Sequence, residues 1–226
     1  MSRRTLRAAI VDLDGTMVDT LGDFVVALGR TLDELGLPPV GRDFVERTVG
    51  KGSEHLLRST LAACGGDPAL YGRAWTLYQR HYLDVNGEHS AVYPGVADGL
   101  ERLAAAGLAL ACVTNKPLAF ARPLLDRKGL AAAFAQVYGG DSFARRKPDP
   151  LPLVEASRAL GSTPACTLVI GDSANDALAA RAAGCPVVLV RYGYNHGEPI
   201  ESVDADAFVD RIDEIDLVDL ARSGAG

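Results

Sequence analysis

The sequence predicts an α/β fold built on a doubly wound, mainly parallel sheet with a small inserted helical cap domain. Three observations carry that expectation. Short apolar runs alternate with helical periods along most of the chain. The runs are continuously apolar, as in parallel strands covered on both faces. One stretch, from about Thr20 to Gly87, breaks the alternation and holds helical patterns alone. Strand and helix in alternation imply a sheet with helices on both sides, and helices without strands imply an insertion after the first strand.

In chain order, residues 6–11 are the first strand, and comparable runs recur at 108–113, 167–170 and 187–190, with weaker ones at 136–138 and 207–209. Between them lie helical patterns: Val96, Leu100 and Leu103 ahead of Gly107; residues 118–125; Leu151, Val154 and Leu160 ahead of Gly161; residues 174–183 ahead of Gly184. Glycine just past a periodic segment is a usual helix stop. Inside the insertion, Leu21, Phe24, Val25, Leu28, Leu32 and Leu35 keep a helical period, as do Leu70, Ala74, Leu77, Tyr78 and Tyr82 behind an Asp67-Pro68 start. Pro38-Pro39 and Gly65-Gly66 punctuate these helices. The expected organisation is core 1–16, cap 17–89 and core 90–226, with two connections that permit a hinged lid.

Hydrophobic residues make up 48% of the 226, enough to bury a proper core, and exclude a disordered chain. No apolar stretch reaches membrane-spanning length, and the N-terminus lacks the apolar core and cleavage site of a signal peptide. Cys64, Cys112, Cys166 and Cys185 show no C-x-x-C pairing, which fits reduced thiols and a cytoplasmic setting. A net charge of −6 argues against a nucleic-acid or anionic-membrane surface, since both need a concentrated basic face. Monomer and dimer both stay open.

Four polar signals follow strand ends, where ligands bind in an open parallel sheet. The first is Asp12-Leu13-Asp14-Gly15-Thr16. Residues i and i+2 of an extended segment point the same way, so both aspartates address one site while Leu13 turns to packing. Such close acids disfavour each other's ionisation unless a cation or donors compensate. Alone, they are equally turn formers or helix caps. Thr114-Asn115 is the second signal; it offers donors to phosphate oxygens, although by itself it reads as a helix cap. Lys147 follows among prolines, where an isolated lysine is ordinarily a solvated charge. The fourth, Gly171-Asp172-Ser173-Ala174-Asn175-Asp176, places two acids that suit a hard divalent cation.

Their order is more specific than any one of them. Acid pair, hydroxyl, lysine and acid pair at successive strand ends, with a helical insertion after the first, resemble the haloacid dehalogenase superfamily, whose Rossmann-like core carries D-x-D-G-T, Ser/Thr, Lys and G-D-x-x-x-D. Further segments, Val49-Gly50-Lys51-Gly52-Ser53, Tyr93-Pro94-Gly95-Val96, Thr114-Asn115-Lys116-Pro117, Gly139-Gly140-Asp141 and Tyr192-Gly193-Tyr194-Asn195-His196-Gly197, are similar to the bacterial phosphoglycolate phosphatase family. Met17 and Thr20 depart from that pattern at positions without chemistry.

The resemblance implies a Mg2+-dependent phosphomonoesterase whose partner is a small phosphorylated metabolite, 2-phosphoglycolate. It implies Asp12 as nucleophile, Asp14 as proton donor and then base, and Thr114, Asn115 and Lys147 around the phosphoryl group. The metal would be held by the Asp12 carboxylate, the Asp14 backbone carbonyl and Asp172, with Asp176 as a supporting acid. Lys51 and His55, on segment 50–57, are the cap candidates for the substrate's carboxylate, against the reading of a glycine-shaped loop with a solvated lysine. The Gly-Lys-Gly-Ser string is no nucleotide P-loop, because Val45 stands where the first glycine belongs. His55, His81, His89 and His196 lack ligand spacing. Rival readings are a same-fold enzyme for another phosphoester or pyrophosphate, a hexose-phosphate mutase, a phosphonate hydrolase and, from another class, a phospho-accepting receiver module.

Overall fold

The computed structural model describes residues 5–223. Residues 1–4 and 224–226, the outer ends of the two expected core segments, lie outside that range. Six parallel strands form the main sheet in the order β5-β4-β1-β6-β7-β8: β1 (Ala8–Val11), β4 (Ala109–Val113), β5 (Gln136–Tyr138), β6 (Thr167–Gly171), β7 (Val187–Val190) and β8 (Ala207–Val209). Their side chains separate with period two into two layers. Ala9, Val11, Leu110, Cys112, Leu168, Ile170, Val188 and Val190 face one core, closed by α5 (Val96–Ala105), α6 (Leu118–Arg127) and α9 (Leu217–Ser223). Ile10, Ala111, Val113, Val169, Val187 and Leu189 face the other, closed by α7 (Leu151–Ala159) and α8 (Ala174–Ala183). Because β1 is covered on both faces, all four of its residues are buried, which is why its sequence is a continuous apolar run.

Chain order along the sheet reverses at β1, with β4 on one side and β6 on the other, so a crevice opens beyond its carboxyl end. There the chain turns sharply. Gly15 takes φ +83°, and its N–H donates to the Val18 carbonyl at 2.9 Å.

The insertion leaves through β2 (Val18–Asp19) and returns through β3 (Ala91–Val92), which pair antiparallel. Sequence patterns did not show these two-residue strands, because no periodicity exists over so short a length. Between them, α1 (Leu21–Leu35) and α4 (Tyr71–Val85) match the two helical periods, while α2 (Arg42–Thr48) and α3 (Ser53–Ala63) are additional. The segment from 50 is thus a loop only to Gly52. Leu21, Phe24, Leu28, Val45, Leu56, Leu57, Tyr78 and Tyr82 make the insertion's own core. Phe120 of α6 joins it, its ring 4.8 Å from that of Tyr82, so the insertion packs against the sheet domain through an aromatic contact.

Candidate active site

Asp12 extends the β1 ladder, its N–H donating to the Ile170 carbonyl at 2.9 Å. The register that sets β1 beside β6 therefore brings Asp12 to Asp172 and Asp176, which follow β6. One carboxylate oxygen from each of the three lies within 4.8 Å of the others. Lys147 reaches into this cluster with Nζ 2.7 Å from Asp176 Oδ1 and 3.0 Å from Asp12 Oδ1, and it also donates to the Val113 carbonyl at 2.8 Å. Its contact with Asp12 Oδ1 is an ion pair, and that buried oxygen accepts no well-formed hydrogen bond. Lys147 is buried, not the solvated charge an isolated lysine would be.

Burial dominates the electrostatics. It pushes the Asp12 carboxyl up to about 7, against the pull of Lys147 and with the push of Asp176. Asp172 is raised by burial, then by Asp176 and Asp12, with the Tyr194 N–H and Thr16 hydroxyl acting against them. Burial works to lower the Lys147 ammonium, but Asp12 and Asp176 more than reverse it and hold it above its ordinary value.

Each acid is oriented by neighbours. Asp172 accepts from Thr16 Oγ1 at 2.7 Å and from the Tyr194 N–H at 2.6 Å. Asp176 is committed on both oxygens: Oδ1 to Lys147, and Oδ2 to the Ser173 hydroxyl at 2.9 Å and the Ser173 N–H at 3.2 Å, which closes a capping box on α8. Asp176 thus accepts the most hydrogen bonds of the three acids, four against two at Asp172. Gly171 and Gly193 leave the necessary space: a Cβ on Gly171 would lie 2.3 Å from Asp176 Cγ, and one on Gly193 would lie 2.1 Å from Asp172 Cβ.

Asp14 shares the neighbourhood but not the cluster. Its Oδ1 accepts from Thr20 Oγ1 and from Lys116 Nζ, both at 2.8 Å. Thr114 is buried at the end of β4; it accepts from the Lys116 N–H at 3.2 Å and donates to no group among the described residues. It does not cap α6, which begins after Pro117. Asn115 spends its amide donors on the Gly50 carbonyl at 3.0 Å and the Lys147 carbonyl at 2.9 Å. Its Oδ1 is buried without a partner, and an exchanged amide would set that oxygen against two carbonyls. Asn115 therefore joins the insertion's loop to the lysine loop.

Asp12, Asp14, Thr114, Asn115 and Lys116 line one cavity of about 20 Å3 with Phe24, Val49, Gly50, Gly52, Ser53 and Leu56 of the insertion. That is room for about one water and too little for a phosphate ester in this arrangement. A larger groove of about 550 Å3, between α2 and residues 193–201, reaches Asp172 but neither Asp12 nor Asp14.

The cap candidates are placed differently from the expectation. Lys51 is exposed and lines an outer groove with Leu178, Arg181 and His196, on a loop where Gly50 takes φ +101° and Gly52 φ +91°. His55 is half-buried on α3 beside Ser59, outside the cavity's lining; burial, then Lys51 and Arg146, lower its imidazole. What lines the cavity instead is Gly50, Gly52 and Ser53. Sequence reasoning also missed Lys116, Thr16 and Tyr194. Lys116 carried a signal, for it follows Thr114-Asn115 at a strand end.

The chain belongs to the haloacid dehalogenase-like hydrolase family, whose model matches residues 9–190. It is 42% identical to a phosphoglycolate phosphatase of Thiobacillus denitrificans over 94% of this chain and 95% of that one. It is 43% identical to a plasmid-borne phosphoglycolate phosphatase of Cupriavidus necator over 92% and 90%. Among solved structures, a predicted phosphoglycolate phosphatase from Haemophilus somnus superposes with TM-score 0.88 at 31% identity, covering 92% of this chain and 96% of that one.

Proposed function

We propose that this chain hydrolyses 2-phosphoglycolate to glycolate and phosphate as a Mg2+-dependent phosphomonoesterase working through an aspartyl-phosphate. The observation that carries the reading is the convergence of Asp12, Asp172, Asp176 and Lys147 beyond the carboxyl end of β1, with Asp12 on the wall of the covered cavity. The relatives' names supply the substrate. Residues 17–89 act as the cap over core segments 1–16 and 90–226.

The residues fit a divalent cation. Three carboxylates converge, Asp12 Oδ1 is buried without a hydrogen bond, and an all-oxygen donor set suits Mg2+. Asp12, Asp172 and the Asp14 backbone carbonyl would hold the ion, which when bound supplies charge to neutralise phosphoryl oxygens and to keep Asp12 ionised.

The Asp12 carboxylate attacks phosphorus, and the ester oxygen leaves with a proton from Asp14. Asp14, now a carboxylate, takes a proton from the water that cleaves the aspartyl-phosphate, which restores both acids. Lys147 and the Thr114 hydroxyl meet charge on the equatorial oxygens of the transferring group. Phe24, Val49 and Leu56 form the apolar side of the cavity and exclude bulk water while the cap is shut. Among the described residues no helix is long and apolar enough to cross a membrane, and no disulfide joins Cys64, Cys112, Cys166 or Cys185, as in a protein that works in a reducing compartment.

The deciding experiment is phosphate release from a panel of small phosphomonoesters with and without Mg2+. The reading expects 2-phosphoglycolate to lead in kcat/KM. Turnover of 2-phosphoglycolate at the background rate, with another ester leading, would sink it.

A further inference from the structure

Lys116 is the second ammonium buried at this site, its side chain 1% exposed. Unlike Lys147 it does not touch the acid cluster. It pairs with Asp14 Oδ1 at 2.8 Å, donates to Tyr82 Oη of α4, and stands 4.5 Å from the ring centre of Phe24 and 4.6 Å from that of Tyr82. An ammonium has three N–H donors. Asp14 and Tyr82 take two, and the third has no oxygen acceptor among the described residues, although Lys116 lines the cavity. The two aromatic rings hold the charged ammonium in that corner, since a ring face attracts a cation.

Position decides what such a cation meets. In 2-phosphoglycolate the carboxylate is one methylene from the ester oxygen that departs. Asp14 is the group assigned to that oxygen, so whatever holds the carboxylate must stand beside Asp14. Lys116 is bonded to it. Lys147, on the cluster side, is placed for the phosphoryl oxygens. Lys51 faces the outer groove. Across the same cavity, Gly52 and Ser53 begin α3, whose first-turn N–H groups lack intrahelical acceptors and add to an anion-favouring wall.

We propose that Lys116 binds the carboxylate of the substrate's leaving group and so sets the enzyme's preference for an acidic phosphoester. The proposal rests on the phosphoglycolate reading above and replaces Lys51 as the residue that recognises the acid. Because Lys116 bridges Asp14 to Tyr82 of the insertion, it recognises the carboxylate at the seam where the cap closes.

The test compares kcat/KM for 2-phosphoglycolate with that for ethyl phosphate, which has the same ester oxygen and carbon count but no carboxylate. In the unaltered enzyme the acid is favoured. In Lys116→Met the ratio of the two falls on the order of 100-fold, the scale expected when one partner of a buried charge contact is removed, whatever happens to the rate common to both. Lys116→Arg retains most of the ratio, and Lys51→Ala leaves it unchanged. If Lys116→Met lowers both substrates equally, Lys116 is only a structural bolt and the proposal is overturned while the phosphatase reading stands. Failure of the unaltered enzyme to act on 2-phosphoglycolate overturns both. Should Lys116→Met not fold, Lys116→Gln carries the same comparison, and 2-phosphoglycolamide offered to the unaltered enzyme checks the charge contact directly: turnover within a few-fold of the acid rejects it.

Discussion

Lys147 and Asp176 form an ion pair of 2.7 Å with side chains only 3% and 1% exposed. The same ammonium lies 3.0 Å from Asp12, so one cation serves two buried carboxylates. Asp172 stands beside them and forms no ion pair among the described residues. With all three carboxylates ionised, the site would hold more negative charge than Lys147 neutralises.

Asp12→Asn keeps the size of the side chain and removes the nucleophilic oxygen. Phosphate release from 2-phosphoglycolate falls by at least about 1,000-fold, with an unchanged circular dichroism spectrum. A variant within tenfold of the parent rate would end the assignment of Asp12.

The raised carboxyl of Asp12 makes stability depend on pH in a definite direction. Its ordinary value is 3.8 and its folded value about 7. Between these, the folded state binds more protons than the unfolded state, so stability falls as pH rises. The contribution is intact below about 3.8 and is gone above about 7. Asp172, raised by burial, Asp176 and Asp12, acts in the same sense. Thermal unfolding of the metal-free protein should give a lower Tm at pH 8 than at pH 5 from this source. Mg2+ should raise the Tm more at pH 8 than at pH 5, and Asp12→Asn should flatten the decline. A decline of equal size in Asp12→Asn would place its origin elsewhere.

Part of this site was legible in the sequence for a physical reason: parallel strands bring their carboxyl ends together whatever the chain between them, so Asp12, Thr114 and Asp172 fall on one edge of the sheet, while Lys147, well past the end of β5, joined them through the family resemblance. The insertion was legible as helices from α1 and α4, whose apolar periods are long. It was not legible in detail. Which way Lys51 points depends on the positive φ values of Gly50 and Gly52, and a sequence shows that glycine permits such angles without showing which is used. Lys116 escaped for a related reason. A lysine is ordinarily exposed, and only the tertiary approach of Phe24 and Tyr82 buries this one.

Lys147→Met removes the cation from between two buried acids. Breaking a buried pair by deleting one partner costs about 3–5 kcal/mol, so at pH 8 the unfolding midpoint in urea should drop well below that of the parent, and phosphate affinity should fall with it. The double variant Lys147→Met, Asp176→Asn should recover part of the stability but not the activity. Recovery of both would show that Lys147 serves only as a counter-charge.

Gly193→Ala tests the space around Asp172 without replacing a polar side chain. Its Cβ would fall 2.1 Å from Asp172 Cβ and 2.4 Å from Oδ2, distances at which the aspartate must shift. The variant should remain folded and need several-fold more Mg2+ for half-maximal rate, as expected when a residue that positions a ligand is disturbed. An unchanged Mg2+ requirement, together with normal turnover, would remove Asp172 from the metal site.

Asn115 should govern how tightly the cap closes, because its amide ties the Gly50 carbonyl of the insertion to the Lys147 carbonyl of the core. A hydrogen bond of this kind contributes about 1 kcal/mol, which corresponds to roughly fivefold in the population of the open state. Asn175 donates to the same Gly50 carbonyl at a longer 3.4 Å and gives partial cover, so Asn115→Ala should loosen the loop rather than release it. Asn115→Asp is the stronger test: it sets an acceptor against two carbonyls, and repulsion replaces attraction. Hydrogen exchange at residues 49–53 should accelerate in the order parent, Asn115→Ala, Asn115→Asp, while exchange in α8 stays at the parent level. Equal exchange at 49–53 in all three would mean that the aromatic contact between Phe120 and Tyr82, and not the asparagine, keeps the cap shut.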